Sequence, residues 1–204
     1  MNKNMMKKSL LTIFISALFF TLNPAYEAVA IQSGDHPYVG SGGCACHRDE
    51  LNDWQRSKHG NAFNLLKPGA RKSAKKKAGL DPEKDYTNDK KCVKCHVVGY
   101  EKSGGFKDAD STSTMAGVGC EMCHGAGGSY RKLHKSKSLT FTKEEVIQKG
   151  QVYATLDQSV CNQCHYQQDT PFKPELDEKY NYNFEVALNN PRLFHEIYPL
   201  EGKH

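Results

Sequence analysis

Cys92-Val93-Lys94-Cys95-His96, Cys120-Glu121-Met122-Cys123-His124 and Cys161-Asn162-Gln163-Cys164-His165 share one spacing: two cysteines three apart, and a histidine directly after the second. A shorter version, Cys44-Ala45-Cys46-His47, precedes them, and the four stretches together contain all eight cysteines of the 204-residue chain. C-x-x-C-H is the attachment signature of c-type haem, in which both thiols add to the vinyl groups of one ring and the histidine coordinates its iron. The spacing has a mechanical reason. On one helical turn, residues i and i+3 lie on the same side and reach two vinyls of one ring, while the next residue aims its imidazole at the metal. The pattern predicts a helical turn at each regular attachment site.

Other uses of paired cysteines fit less well. Structural zinc sites use C-x-x-C pairs, but zinc does not require a histidine after every second cysteine. Four such coincidences would arise by chance on the order of once in several million. A disulfide scaffold would here close only short adjacent loops, which constrains little. A thioredoxin-like redox motif is a single site in strand-rich surroundings, and no convincing strand alternation is present.

The first motif departs from the other three. Cys44-Ala45-Cys46-His47 is one residue short, with Gly43 where C-x-x-C-H places its first cysteine. Thiols at i and i+2 of a helix diverge by roughly 200°, so both cannot meet the vinyls of one ring without local unwinding. Three outcomes are open: two thioethers on a distorted loop, one thioether through Cys46 with Cys44 free, or inefficient attachment. A haem held by His47 and at least Cys46 is the expectation.

Nine histidines, less the four proximal ones (His47, His96, His124 and His165), leave His36, His59, His134, His195 and His204. A low-spin electron carrier uses two axial ligands per iron, with no position left for substrate. A helical path from His47 through Leu51 and Trp54 to His59 would separate the two histidines by roughly 18 Å, so His59 must serve another haem. His134, behind the turn at Gly125-Ala126-Gly127-Gly128, is also free to reach elsewhere. His195 sits beside Leu193, Phe194 and Ile197, which places its ring among apolar packing. His59, His134 and His195 are therefore the distal candidates. His36, in the loop Gly34-Asp35-His36-Pro37, and His204, the last residue, are expected to be solvated. One haem is then left without a sixth ligand.

Only 38% of the residues are apolar, below the usual range for a self-sufficient core, so something else must supply buried apolar mass. The start reads as an export signal: basic Lys3, Lys7 and Lys8, an apolar run from Leu10 to Leu22, and Ala28-Val29-Ala30 as a cleavage site. That run is too short for a permanent membrane span. The expected domains are a cleaved signal peptide at 1–30 and a haem-binding domain at 31–204, exported or periplasmic. Cleavage removes three lysines and Glu27 from 28 basic and 23 acidic residues, leaving 25 against 22. No nucleic-acid reader accompanies this small excess. The stretch Lys67 to Leu80 reads as an exposed basic helix, either a solvated face or a docking patch for an acidic partner. Thr142 and Glu145 have capping-box spacing for a helix through Val146 to Lys149. No glycine-rich phosphate loop and no serine-histidine-acid constellation is present.

From about Val39 to Leu200 the chain resembles the tetrahaem cytochrome c-554 family of ammonia oxidisers. The resemblance rests on Trp54 to Ala62, on Leu80-Asp81-Pro82-Glu83-Lys84-Asp85-Tyr86 leading to Cys92, and on Gly117-Val118-Gly119-Cys120-Glu121 with Cys123-His124-Gly125. Thr170-Pro171-Phe172 with Pro174-Glu175 completes it. It implies a mainly α fold, with helices and long loops wrapped around four closely packed haem c groups. By position it implies His134 as the cap of the first haem, His195 of the third and His59 of the fourth. His96 would hold a five-coordinate second haem, its open face covered by Thr170, Pro171 and Phe172. It also implies an electron donor like hydroxylamine oxidoreductase and a downstream acceptor cytochrome.

The expected function is electron transfer between redox proteins outside the cytoplasm, not enzymatic turnover. The alternative is reduction of a small molecule such as nitric oxide at the five-coordinate haem. The chain departs from the family in its shortened first motif and in ending soon after His195.

Overall fold

The computed structural model describes residues 35–110, 113–134, 141–152, 158–166 and 169–196, except the side chains at 134 and 191. The expected export signal and cleavage site, Ile197, His204 and the side chain of His134 lie outside that set. Among the described residues regular structure is helical: α1 (Arg48–Arg56), α2 (Lys72–Lys77), α3 (Lys90–His96), α4 (Cys120–His124), α5 (Gly127–His134), α6 (Lys143–Gln148), α7 (Gln158–Asn162) and α8 (Phe184–Leu188). Short 3₁₀ turns lie before, between and after them, and one antiparallel bridge joins Val97 to Ala116. No described helix has the length and apolarity to cross a membrane.

The helices are short because local side chains both start and stop them. The Asp89 carboxylate accepts the Lys91 N–H at 3.0 Å and opens α3, which ends as Val97 turns extended. At α6, Thr142 accepts from the Glu145 N–H at 3.2 Å and the Glu145 carboxylate accepts from the Thr142 N–H at 2.6 Å. This is the capping box expected from the spacing. Thr142→Ala should lower stability by about 1 kcal/mol. An unchanged urea midpoint would count against this.

Three sequence expectations shift. The helix after the first motif stops at Arg56, before His59, because the Ser57 hydroxyl donates to the Trp54 carbonyl at 2.7 Å and competes with the helical ladder. The glycine-rich turn shrinks to Gly125-Ala126, since α5 already begins at Gly127. Within Lys67 to Leu80 only Lys72–Lys77 is α-helical, and that stretch is not wholly exposed. Lys75 is 4% exposed, donates to the Lys67 carbonyl at 2.8 Å and lies 5.2 Å from the Tyr86 ring centroid. Lys72 pairs with Glu83 at 2.7 Å and Lys77 with Asp177 at 3.4 Å, so two of the six basic residues in the stretch have acidic partners.

One apolar cluster surrounds α3: Phe63, Leu66, Tyr86, Val93, Val97, Val98, Phe106 and Met115. After Gly150 no described residue is buried. Among the described residues, the chain's own apolar side chains therefore build a core around the second motif and none around the fourth.

Candidate multihaem centre

Each of the last three motifs has its cysteines on or at the end of a short helix: Cys92 and Cys95 on α3, Cys120 and Cys123 on α4, Cys161 on α7 with Cys164 just beyond. None of the eight cysteines is in a disulfide. Cysteine contacts across the chain bring the motifs together. Cys44 hydrogen-bonds Cys120, which raises the Cys44 thiol and lowers that of Cys120. Cys123 and Cys161 are near enough for charge on one to disfavour charge on the other. Cys95 hydrogen-bonds Cys164 and its thiol falls to about 7, while Cys164 is raised. These contacts set the motifs in the order first, third, fourth, second. The exposed ion pair Lys94–Asp169, 2.7 Å, further ties α3 to the loop after the fourth motif.

The histidines carry the sharper geometry. His59 faces His165 with ring centroids 6.4 Å apart, and His195 faces His124 at 6.2 Å. Two imidazoles on opposite sides of one metal, each with a metal–nitrogen bond of about 2.0 Å, have ring centroids about 6 Å apart. The tautomers agree with that use. His96 Nδ1 lies 2.7 Å from the Ala62 carbonyl and His195 Nδ1 lies 2.6 Å from the Glu196 carbonyl. His59 and His124 bond the carbonyls of Leu193 and Val152. A carbonyl only accepts, so Nδ1 of His96 and of His195 carries the proton and Nε2 keeps its lone pair for a metal. Burial lowers His59, His96, His124 and His165 below the ordinary imidazole range, which keeps them neutral near pH 7.

Local structure explains how these rings are held. The buried Trp54 ring donates through Nε1 to the Val118 carbonyl at 2.7 Å, and the Val118 N–H donates to the His59 carbonyl at 2.9 Å. His59 is thereby fixed to the strap leading into α4. The Glu196 N–H donates to the Asp53 carboxylate at 3.2 Å, which docks the His195 segment on α1.

His36 is not solvated: it is half-buried, 2.9 Å from the Ser129 hydroxyl, and its ring lies against Gly150. A hydroxyl both donates and accepts, so this contact does not set the tautomer. No imidazole partner for His96 is found among the described residues. Phe172, in the segment expected near His96, packs against Tyr180 at 5.4 Å and donates its N–H to the Thr170 hydroxyl at 3.2 Å.

Two residues escaped the sequence reading. Glu121, an intervening position of the third motif, is 2% exposed and accepts backbone N–H bonds from Val39, Gly40 and Gly127 at 2.6–3.1 Å. Tyr182 stacks on His165 with centroids 4.0 Å apart. An acid inside a haem motif was a signal for Glu121; nothing near Tyr182 pointed to His165.

Thiol pairs, each followed by an imidazole that burial keeps neutral, fit covalent haem at the last three motifs. Residues 43–125 match the model of the family described as cytochrome c554 and c-prime. Cytochrome c-554 of Nitrosomonas europaea is 35% identical over 207 residues, spanning 92% of this chain and 86% of that protein. The chain belongs to the cytochrome c554 family. The structure of reduced cytochrome c554 from the same organism superposes with a TM-score of 0.73 at 36% identity, covering 83% of this chain and 90% of that one. A shorter likeness, 33% over 79 residues, joins 36% of the chain to 22% of the multihaem cytochrome MtrA of Shewanella baltica. As a cytochrome c554 family member the chain is a mainly helical, multihaem c-type electron-transfer protein.

Proposed function

We propose that this cytochrome c554 family member carries four haem c groups and relays electrons in the periplasm from an oxidoreductase like hydroxylamine oxidoreductase to an acceptor cytochrome. The observation that carries this reading is the pair of imidazole couples, His59 with His165 and His124 with His195, each spaced for one metal. Bound haem c supplies a one-electron iron couple at each motif. Cys92 with Cys95, Cys120 with Cys123, and Cys161 with Cys164 hold the second, third and fourth groups. Cys44 and Cys46 border the first. His47, His96, His124 and His165 would be the proximal ligands; His134, His195 and His59 would be the distal ligands at the first, third and fourth sites.

The protein's part is to hold these groups in file and to resist rearrangement. The cysteine contacts keep the motifs in the order first, third, fourth, second. The carbonyls of Ala62, Leu193, Val152 and Glu196 fix ring tautomers, so gain or loss of an electron requires no proton at those imidazoles. Thr170, Pro171 and Phe172 cover the open side of the His96 site. That side would admit a small ligand such as nitric oxide as an accessory activity. Residues 1–30 direct export and are removed after Ala30.

Intact mass spectrometry of the exported protein should give a mature chain starting at Ile31 with four added haems. The oxidised protein should then be reduced by hydroxylamine oxidoreductase in the presence of hydroxylamine. A chain without haem would overturn the cytochrome reading; no reduction by that enzyme would overturn the donor alone.

A further inference from the structure

We infer that the first haem is held through a single thioether, at Cys46, and that Cys44 stays a free thiol packed against Cys120. This rests on the haem reading above and concerns only how the chain anchors the first group.

Register is the first argument. Cys46 precedes His47 as Cys95 precedes His96, Cys123 precedes His124 and Cys164 precedes His165. It therefore stands where the second thiol of each regular motif stands. The first-thiol position is Gly43, and the surroundings are built around its missing side chain. A Cβ there would meet Val39 Cγ2 at 2.4 Å and Arg131 Nη1 at 3.0 Å. The segment cannot easily move aside, because Glu121 holds the Val39 and Gly40 N–H groups and Arg131 donates to the Gly43 carbonyl at 3.3 Å.

Direction is the second argument. Cys46 and His47 are both exposed on one stretch of chain, whereas Cys44 closes the 3₁₀ turn Ser41–Cys44, is half-buried and hydrogen-bonds Cys120. The two thiols of this motif thus face different surroundings. Turning Cys44 towards the Cys46 side would break its packing against α4.

The attachment is a balanced addition. The Cys46 S–H adds across one vinyl C=C, forming one C–S and one C–H bond while the S–H and the π bond break. No oxidant or reductant is consumed. The other vinyl stays intact.

The test uses the native exported protein, denatured, alkylated with iodoacetamide and cut with trypsin. The peptide ending at Arg48 contains Cys44 and Cys46 and no other cysteine. It should carry one haem and one carbamidomethyl group, the latter on Cys44, and its pyridine haemochrome band should lie to the red of the other three haem peptides. In variants, Cys44→Ser should keep this haem and Cys46→Ser should lose it. A haem with no alkylated thiol would show two thioethers and overturn the inference, as would alkylation at Cys46 or an absent first haem. Loss of haem from all four peptides would instead overturn the cytochrome reading itself.

Discussion

Replacing His195 by alanine should increase the carbon monoxide bound by the fully reduced protein by one molecule per chain. His195 and His124 face each other at 6.2 Å, and an iron held between them as proposed would gain an open coordination position once one imidazole is removed. His59→Ala should do the same at the His165 site, where the rings are 6.4 Å apart. His36→Ala is the control, because its ring contacts Ser129 and Gly150. Carbon monoxide titration with visible spectra separates the outcomes. Unchanged uptake in both His59→Ala and His195→Ala would remove them as distal ligands.

Glu121→Ala should lower stability by about 3 kcal/mol, since three backbone N–H groups would lose a charged acceptor in a buried place and each orphaned donor costs about 1 kcal/mol or more. The carboxylate ties Val39 and Gly40, just before the first motif, to Gly127 at the start of α5. Its loss should therefore also loosen the first haem before the other three. Glu121→Gln should fall between the two, because an amide keeps one acceptor oxygen but turns an NH₂ donor towards groups that themselves donate. Urea unfolding followed at the haem absorbance measures both effects. A midpoint within about 0.5 kcal/mol of the parent would show that backbone shifts or water replace the carboxylate.

Local chemistry was legible because it is written in short spacings. The attachment motifs, the capping box at Thr142 and the unequal first motif all rest on residues within four positions of one another. The helix boundaries were less legible, because Ser57 ends α1 through a hydroxyl bond that competes with the helical ladder, while Asp89 starts α3 by capping a backbone N–H that has no partner inside the helix. Lys75 was misread for a related reason. Its neighbours in sequence are charged, yet its ammonium reaches the Lys67 carbonyl and the face of Tyr86, both brought to it by chain folding.

The cysteine pairs with their adjacent histidines were determined by the sequence alone: two thiols and an imidazole must lie on one turn to serve one ring, and no tertiary contact is needed to put them there. That Cys44 stands out of register was equally visible, as was the shortage of apolar residues. Spacing did not say which imidazoles meet. The family resemblance implied His59 at the fourth site and His195 at the third, and only the tertiary structure shows the contacts that bring those rings to their partners. His59 reaches His165 because Trp54 and the His59 carbonyl are pinned to Val118, and His195 reaches His124 because its segment docks on Asp53. It also decided the different surroundings of Cys44 and Cys46, since the wall of Val39, Arg131 and Glu121 that shapes the first site comes from three separate parts of the chain. Partners far apart in sequence meet only through the contacts that fold them together, and those contacts leave no local spacing to read.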